Sequence, residues 1–323
     1  MNKKTKIWLI VAVCLVIVGF VMFGAVIADL GGDFTKLATT EYESTTYEIK
    51  ESFGSIALDI DTADVTFALS ADGKCVVECF EEKNDGHTVW VEADILHIER
   101  VEERELSDYI GQIGINLNSP RIKICLPQAQ YDSLVVNGST SDIEMSGDFA
   151  FGDVDIHMST GDIRFSASVK NLLRIRVTTG DVALENASAG ALELSVSTGD
   201  VVATGVNCQG DVTLGASTGD TILTDISCKN VVSSGNTGDI TLKNVVVTEN
   251  LSITRTTGDV MFKACDAAAL FLETDTGEVA GSLLTGKVFY VETSTGDVDV
   301  PRGLTGGECR VKTNTGDVRI TLY

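Results

Sequence analysis

Proline is nearly absent: the 323-residue chain has 3 prolines against 31 glycines, and aromatics make up only 6% of it. That excludes a Pro-rich stalk or linker, while so many glycines suit repeated tight turns. With few aromatics, a core has to be built from Val, Ile, Leu and Ala, the types that stack in parallel strands. Basic residues are scarce too, with 24 Lys and Arg against 47 Asp and Glu, a net charge of −23. Lys3, Lys4 and Lys6 precede the first acidic residue, Asp29, so the remainder carries 24 − 3 = 21 basic against 47 acidic residues, or −26. A surface that acidic repels nucleic acid and anionic lipid, which excludes nucleic-acid binding. Of the 8 cysteines, seven lie scattered beyond the N-terminal segment, with no CxxC or Cys/His zinc spacing and no disulfide framework. His87, His97 and His157 fall in separate strand-like stretches without a Ser or Cys partner and are expected to be half-exposed strand residues. No catalytic residue, cofactor site or metal site is expected, and the chain is not expected to be an enzyme.

What the chain does have begins with a run of 22 uncharged, Pro-free residues from Ile7 to Ala28. As a helix it would be about 33 Å long, enough to cross a bilayer core. The lysines ahead of it place residues 1–6 in the cytoplasm and the rest outside. A cleaved signal peptide ending at Val26-Ile27-Ala28 is the competing reading, but the run exceeds the usual apolar length of about 7–15 residues. Residues 29–43 read as a polar spacer from the membrane.

Internal repetition decides the fold. The triplets Thr160-Gly161-Asp162, Thr179-Gly180-Asp181, Thr198-Gly199-Asp200, Thr218-Gly219-Asp220, Thr237-Gly238-Asp239, Thr257-Gly258-Asp259, Thr276-Gly277-Glu278, Thr295-Gly296-Asp297 and Thr315-Gly316-Asp317 recur every 19–20 residues. Thr140-Ser141-Asp142 sits 20 residues before Gly161 as an atypical first coil. The positions seven and five before each Gly, and two and four after it, hold 33 apolar residues in 36, whereas those six and four before it hold three in 18. Period-two alternation repeated every coil means two short strands joined at a turn, and stacked coils bury a continuous strip. The expected fold is all-β: a parallel β-solenoid of ten coils over residues 128–323. A right-handed winding is the default. The corner glycines supply a conformation other residues resist. The Thr column can bond along the stack, and the corner acids can accept backbone N–H groups.

Residues 44–127 read as an N-terminal cap. Ser55 to Phe67 repeats the alternation around a Gly-less Thr62-Ala63-Asp64 and looks like a degenerate opening coil. The stretches 75–80, 87–93, 95–101 and 122–126 then suggest a β-meander, and the polar, Gly-rich stretch 102–118 a mobile loop. At the far end the chain stops after Val318–Tyr323, which suggests an uncovered strand edge open to self-association. Carboxylates stacked about 4.8 Å apart repel by about 0.9 kcal/mol per pair even in water. The corner ladder therefore needs relief from turn amides, Thr hydroxyls, salt or bound Ca²⁺ or Mg²⁺; a structural turn cap is the preferred reading over a line of cation sites. Cys208 and Cys228, both nine residues after their corner Gly, should be neighbours on adjacent coils, as small core residues or as a disulfide.

With these features together, the chain resembles the bacterial "putative adhesin" β-strand-repeat family, a domain of unknown function. The resemblance rests on the N-terminal apolar segment, the Ile56–Phe67 motif, Ile122-Lys123-Ile124-Cys125-Leu126-Pro127 with Tyr131-Asp132-Ser133-Leu134, and the Thr-Gly-Asp-Val blocks, over residues 45–323. It implies a β-solenoid in the bacterial envelope. The expected function is that of a membrane-anchored, extracytoplasmic interaction or adhesion-type protein with an envelope or surface protein or glycan partner. An accessory or sensor of envelope stress is the alternative, and a polysaccharide-acting enzyme is disfavoured because the coils are equal and no cleft acid stands out.

Overall fold

The computed structural model describes residues 3–29, 42–83, 85–102, 119–303 and 305–323. The spacer and the 102–118 stretch lie almost wholly outside them. The helix Lys3–Asp29 opens on three lysines, and its Trp8–Asp29 part, with a mean hydropathy of 3.1, is long and apolar enough to cross a membrane. It contributes nothing to the protein's core, which is assembled from residues between Ile56 and Ile320.

Everything else described is strand and turn, most of it wound into a parallel solenoid. In one representative coil, strand Ser188–Thr198 runs into the corner Thr198-Gly199-Asp200, and Val201–Thr204 forms the second side. The chain turns again at Gly205, and Asn207–Cys208 makes a short third side before Asp211–Thr218 starts the next coil. The sequence pattern calls for two strands per coil; the structure adds this third. Its corner uses left-handed backbone six residues after the corner glycine, at Asn186 (φ 52°), Gly205 (66°), Asp225 (55°) and Asn244 (54°), residue types that tolerate it.

Register is strict. Thr140, Thr160, Thr179, Thr198, Thr218, Thr237, Thr257 and Thr276 pair in succession along one line. Alternate side chains on the three sides point inward, so columns such as Leu173, Leu192, Val212, Val231, Leu251 and Leu270 form a dry spine. No coil could bury those side chains alone; the stack does it for all of them.

The opening coil is in place: Ser55–Ile60 and Asp64–Leu69 pair in parallel with Gln130–Thr140 and Ile143–Met145. The cap strands also stand where the alternation puts them, but their pairing is richer than a consecutive meander. Ile95–Glu102 extends the first side in parallel and carries Asp85–Glu92 antiparallel to it. Arg121–Leu126 extends the second side and carries Cys75–Glu82, which in turn carries Tyr42–Ile49. The winding is thus closed at this end by antiparallel strands on two sides.

The far end departs from the expectation. Strand Ala269–Thr276 pairs not with the next coil in sequence but with Gly307–Thr315, which pairs on its other side with Lys287–Thr295. Likewise Val318–Leu322 pairs with Val279–Leu283 on one side and, at Val318 and Arg319, with Val298–Asp299 on the other. The last coil in sequence is therefore inserted beneath the penultimate one. The C-terminal strand is not the solenoid's terminal edge; that edge is Lys287–Thr295, hereafter the tip strand.

Side-chain charge favours this order. On the outer face the inserted coil brings Lys312 between Glu273 and Glu292, and Arg310 between Phe271 and Tyr290. Lys312 Nζ lies 2.7 Å from Glu273 Oε1, and Arg319 lies 2.8 Å from Glu278 Oε1. In sequence order Glu273 would face Glu292 directly; insertion alternates the signs.

Candidate interaction surface

The repeated corners form one edge of the solenoid, and their geometry follows from stacking. A Cβ built on Gly199 would lie 2.0 Å from the Gly180 carbonyl oxygen, and the same clash recurs at Gly180, Gly219 and Gly238. Only glycine lets successive corners approach this closely, and Gly199 also sits at φ 140°.

Beside the glycines runs a carboxylate relay. The backbone N–H of Asp162 donates to Asp142 Oδ1 (2.8 Å), Asp181 to Asp162 (2.9 Å), Asp200 to Asp181 (2.8 Å) and Asp220 to Asp200 (2.7 Å). Asp239, Asp259 and Glu278 continue it, and Asp297 donates to Asp317 Oδ1 at 2.8 Å beyond the inserted coil. Each bond places a backbone dipole on a carboxylate that would otherwise face only its like-charged neighbours. Glu278, the one longer acid, turns to Arg319 instead. The Thr column contributes differently from expectation: beside the corners it is inward Thr274, Thr293 and Thr313 whose hydroxyls bond along the stack, donating to the carbonyls of Gly258, Gly316 and Gly277.

The first side's outer face carries short charge alternations, such as Asp155, Arg174 and Glu193, with Arg174 Nε 2.6 Å from Glu193 Oε2. Toward the tip this face becomes aromatic: Phe271, Arg310 and Tyr290 line a shallow groove of about 610 Å³ with Lys312 and Glu292. The Arg310 guanidinium lies 5.5 Å from the Tyr290 ring centre.

The singled-out cysteines and histidines are not gathered into a site. Cys208 and Cys228 occupy neighbouring third sides as buried free thiols, and burial pushes Cys228 up to about 12, with Cys208 and Asp211 adding to the shift. His87 is buried rather than half-exposed: its ring contacts Glu81 Oε1 while its backbone N–H donates to Glu81 Oε2 at 2.9 Å. His97 stacks on Trp90, ring centres 4.9 Å apart.

The family model described as Toastrack DUF4097 matches residues 53–221 and 209–323. The chain belongs to that family. No curated protein matches it. Among solved structures it is similar to a "putative adhesin" from Bacteroides fragilis NCTC 9343, at 15% identity and TM-score 0.47, covering 75% of this chain and 97% of that one. It is also similar to a "putative adhesin" from Parabacteroides merdae ATCC 43184 (13%, 0.44, 88% and 98%). A third is named a "putative lipid binding protein", from Parabacteroides distasonis ATCC 8503 (17%, 0.44, 84% and 97%).

Sequence reasoning missed one polar feature of this Toastrack chain. Arg255 points into the spine at 3% exposure, above Gly235, and donates to Thr221 Oγ1 (3.3 Å), Ser233 Oγ (3.1 Å) and the Thr254 carbonyl. Burial lowers its pKa, and among the described residues no carboxylate pairs with it. The signal was present: Thr221 and Ser233 are two of the three exceptions to the apolar pattern, and they lie where a guanidinium needs acceptors.

Proposed function

We propose that this Toastrack chain is a membrane-anchored, extracytoplasmic, non-enzymatic interaction protein that presents a stiff, acidic, repetitive surface to a protein or glycan of the bacterial envelope. The carboxylate relay carries this reading. Corner after corner, the acid is engaged by the amide of the adjoining coil, so successive coils present the same chemistry and none is singled out. Catalysis on a polysaccharide requires the opposite, a cleft with a non-equivalent pair of acids. The lysines ahead of Trp8–Asp29 favour an inside N-terminus, with the solenoid outside.

The test uses the full chain in cells and the 42–323 fragment in solution, whose core takes no residue from the helix. Expected are retention of the full chain in membranes after alkaline washing and digestion of its solenoid by protease added outside the cell. The fragment should bind isolated envelopes saturably and leave acidic polysaccharides intact. Depolymerisation that vanishes on substituting a single corner Asp would overturn the reading.

A further inference from the structure

The two ends of the solenoid are not alike. The first is closed by antiparallel strands, whereas the tip strand Lys287–Thr295 pairs, among the described residues, with Gly307–Thr315 alone. In a parallel ladder alternate residues turn their N–H and C=O groups to opposite neighbours, so half of the tip strand's backbone groups face no strand. Its inward side chains show the same incompleteness. Phe289, Val291 and Thr293 are half-buried, while Cys309, Val311 and Thr313 beneath them are buried. The usual protections of a free edge are missing here. The strand is 9 residues long without Pro, and its one inward charge, Lys287, is engaged by Asp266 at 2.7 Å. The adjoining second side is protected, since Val298–Asp299 is short and Pro301 follows it.

We propose that two copies of this chain meet tip to tip, their Lys287–Thr295 strands pairing antiparallel about a two-fold axis through Val291. Charge selects a second copy as the occupant. Residues 287–323 hold five basic groups (Lys287, Arg302, Arg310, Lys312, Arg319) and five acidic ones (Glu292, Asp297, Asp299, Glu308, Asp317). The whole net charge of −23 therefore resides in residues 1–286. The tip is where two such acidic rods can approach without like-charge repulsion. The strand is also complementary to itself: about Val291, Tyr290 faces Glu292 of the other copy, Val288 faces Ser294 and Phe289 faces Thr293. No like charges meet, and the apolar spine runs on from one copy into the next. An isologous contact of this kind closes at two copies and does not grow into a filament. The caps, and with them the N-terminal tethers, then lie at opposite ends of the dimer. If the membrane-anchored reading above holds, the partner copy stands on a facing membrane; the pairing itself does not depend on that reading.

The experiment is sedimentation of the 42–323 fragment from micromolar to near-millimolar concentration, with two variants. The fragment should show a concentration-dependent monomer–dimer equilibrium with nothing larger. Val291→Lys places an inward charge at the edge and should abolish the dimer over that range while the melting temperature of the monomer is kept. Val291→Cys should form a disulfide-linked dimer on mild air oxidation, because opposed residues on the axis bring their Cβ atoms about 4.5–5.5 Å apart. Val232→Cys, exposed on the outer face away from the tip, should not. A fragment monomeric throughout, a dimer that survives Val291→Lys, equal cross-linking at both positions, or open-ended oligomers would each overturn the proposal. Membrane retention of the full chain is read separately, so failure of the anchoring reading is distinguishable from failure of the pairing.

Discussion

At the scale of single residues the corner glycines carry the tightest constraint. At Gly199 a side chain would meet the Gly180 carbonyl at 2.0 Å, and the backbone sits at φ 140°, where L-residues are strained. Gly199→Ala should therefore cost about 2–5 kcal/mol of unfolding free energy in urea titrations of the 42–323 fragment. Gly215 offers the control. Its nearest neighbours lie at 3.9 Å and its backbone is ordinary, so Gly215→Ala should be neutral or stabilise by about 0.5 kcal/mol; equal losses at both would show that corner stacking is not what selects glycine. The buried thiols set a second expectation. Desolvation pushes Cys75, Cys79, Cys228 and Cys309 from 9.0 up to about 12, with nearby Cys125, Glu81 and Cys208 adding to the first three. A thiol is neutral when protonated, so the fold favours that form: the stabilisation is complete below about pH 9 and is lost as pH rises toward 12. The urea midpoint should fall through that window, and these four thiols should resist a disulfide-exchange reagent at pH 8 until the protein is unfolded. Rapid native labelling at Cys228 would contradict their burial.

At the scale of strands and corners, what could be read from the chain depended on length. A strand of about four or more residues shows its period once the coils are aligned, so the first and second sides and the opening coil Ser55–Phe67 were legible, as was the corner triplet. The two-residue third side, such as Asn207–Cys208, has no period to show; only Asn186, Gly205, Asp225 and Asn244 six residues after the corner marked its turn. The spatial order of the last coils was hidden for another reason. Equal repeats satisfy the spine in either order, so apolar periodicity is silent, and the choice falls to outward charges compared column by column. Glu273, Lys312 and Glu292 alternate only with the C-terminal coil inserted. Lys312 is held there by its hydrogen bond to Glu273, which raises its pKa together with the nearby Glu292 and Asp275. Lys312→Glu puts three acids in one column. The variant should melt earlier than the parent fragment at low salt, and molar NaCl should erase most of the difference. A melting temperature unchanged at low salt would mean that charge does not fix the order.

At the scale of the whole molecule the question is how a chain with 47 acidic residues stacks its corner carboxylates in one line. Repulsion of about 0.9 kcal/mol per neighbouring pair in water, summed along the ladder, rivals the stability of a typical domain. Two kinds of relief are available, and they predict different responses. If bound Ca²⁺ or Mg²⁺ bridged the carboxylates, stability would depend on the divalent ion itself, through mass action. The relay bonds of 2.7–2.9 Å point the other way. Along the Asp-to-Asp steps each accepting Oδ1 already holds an amide, and the remaining repulsion is long-range and open to any salt. The melting temperature of the 42–323 fragment should thus rise with NaCl as screening grows. At matched ionic strength, millimolar CaCl₂ should add nothing and a chelator should remove nothing. An increment specific to calcium, abolished by Asp200→Asn, would show that the ladder is a cation site; Asn keeps an acceptor oxygen for the amide while removing the charge that a divalent ion requires.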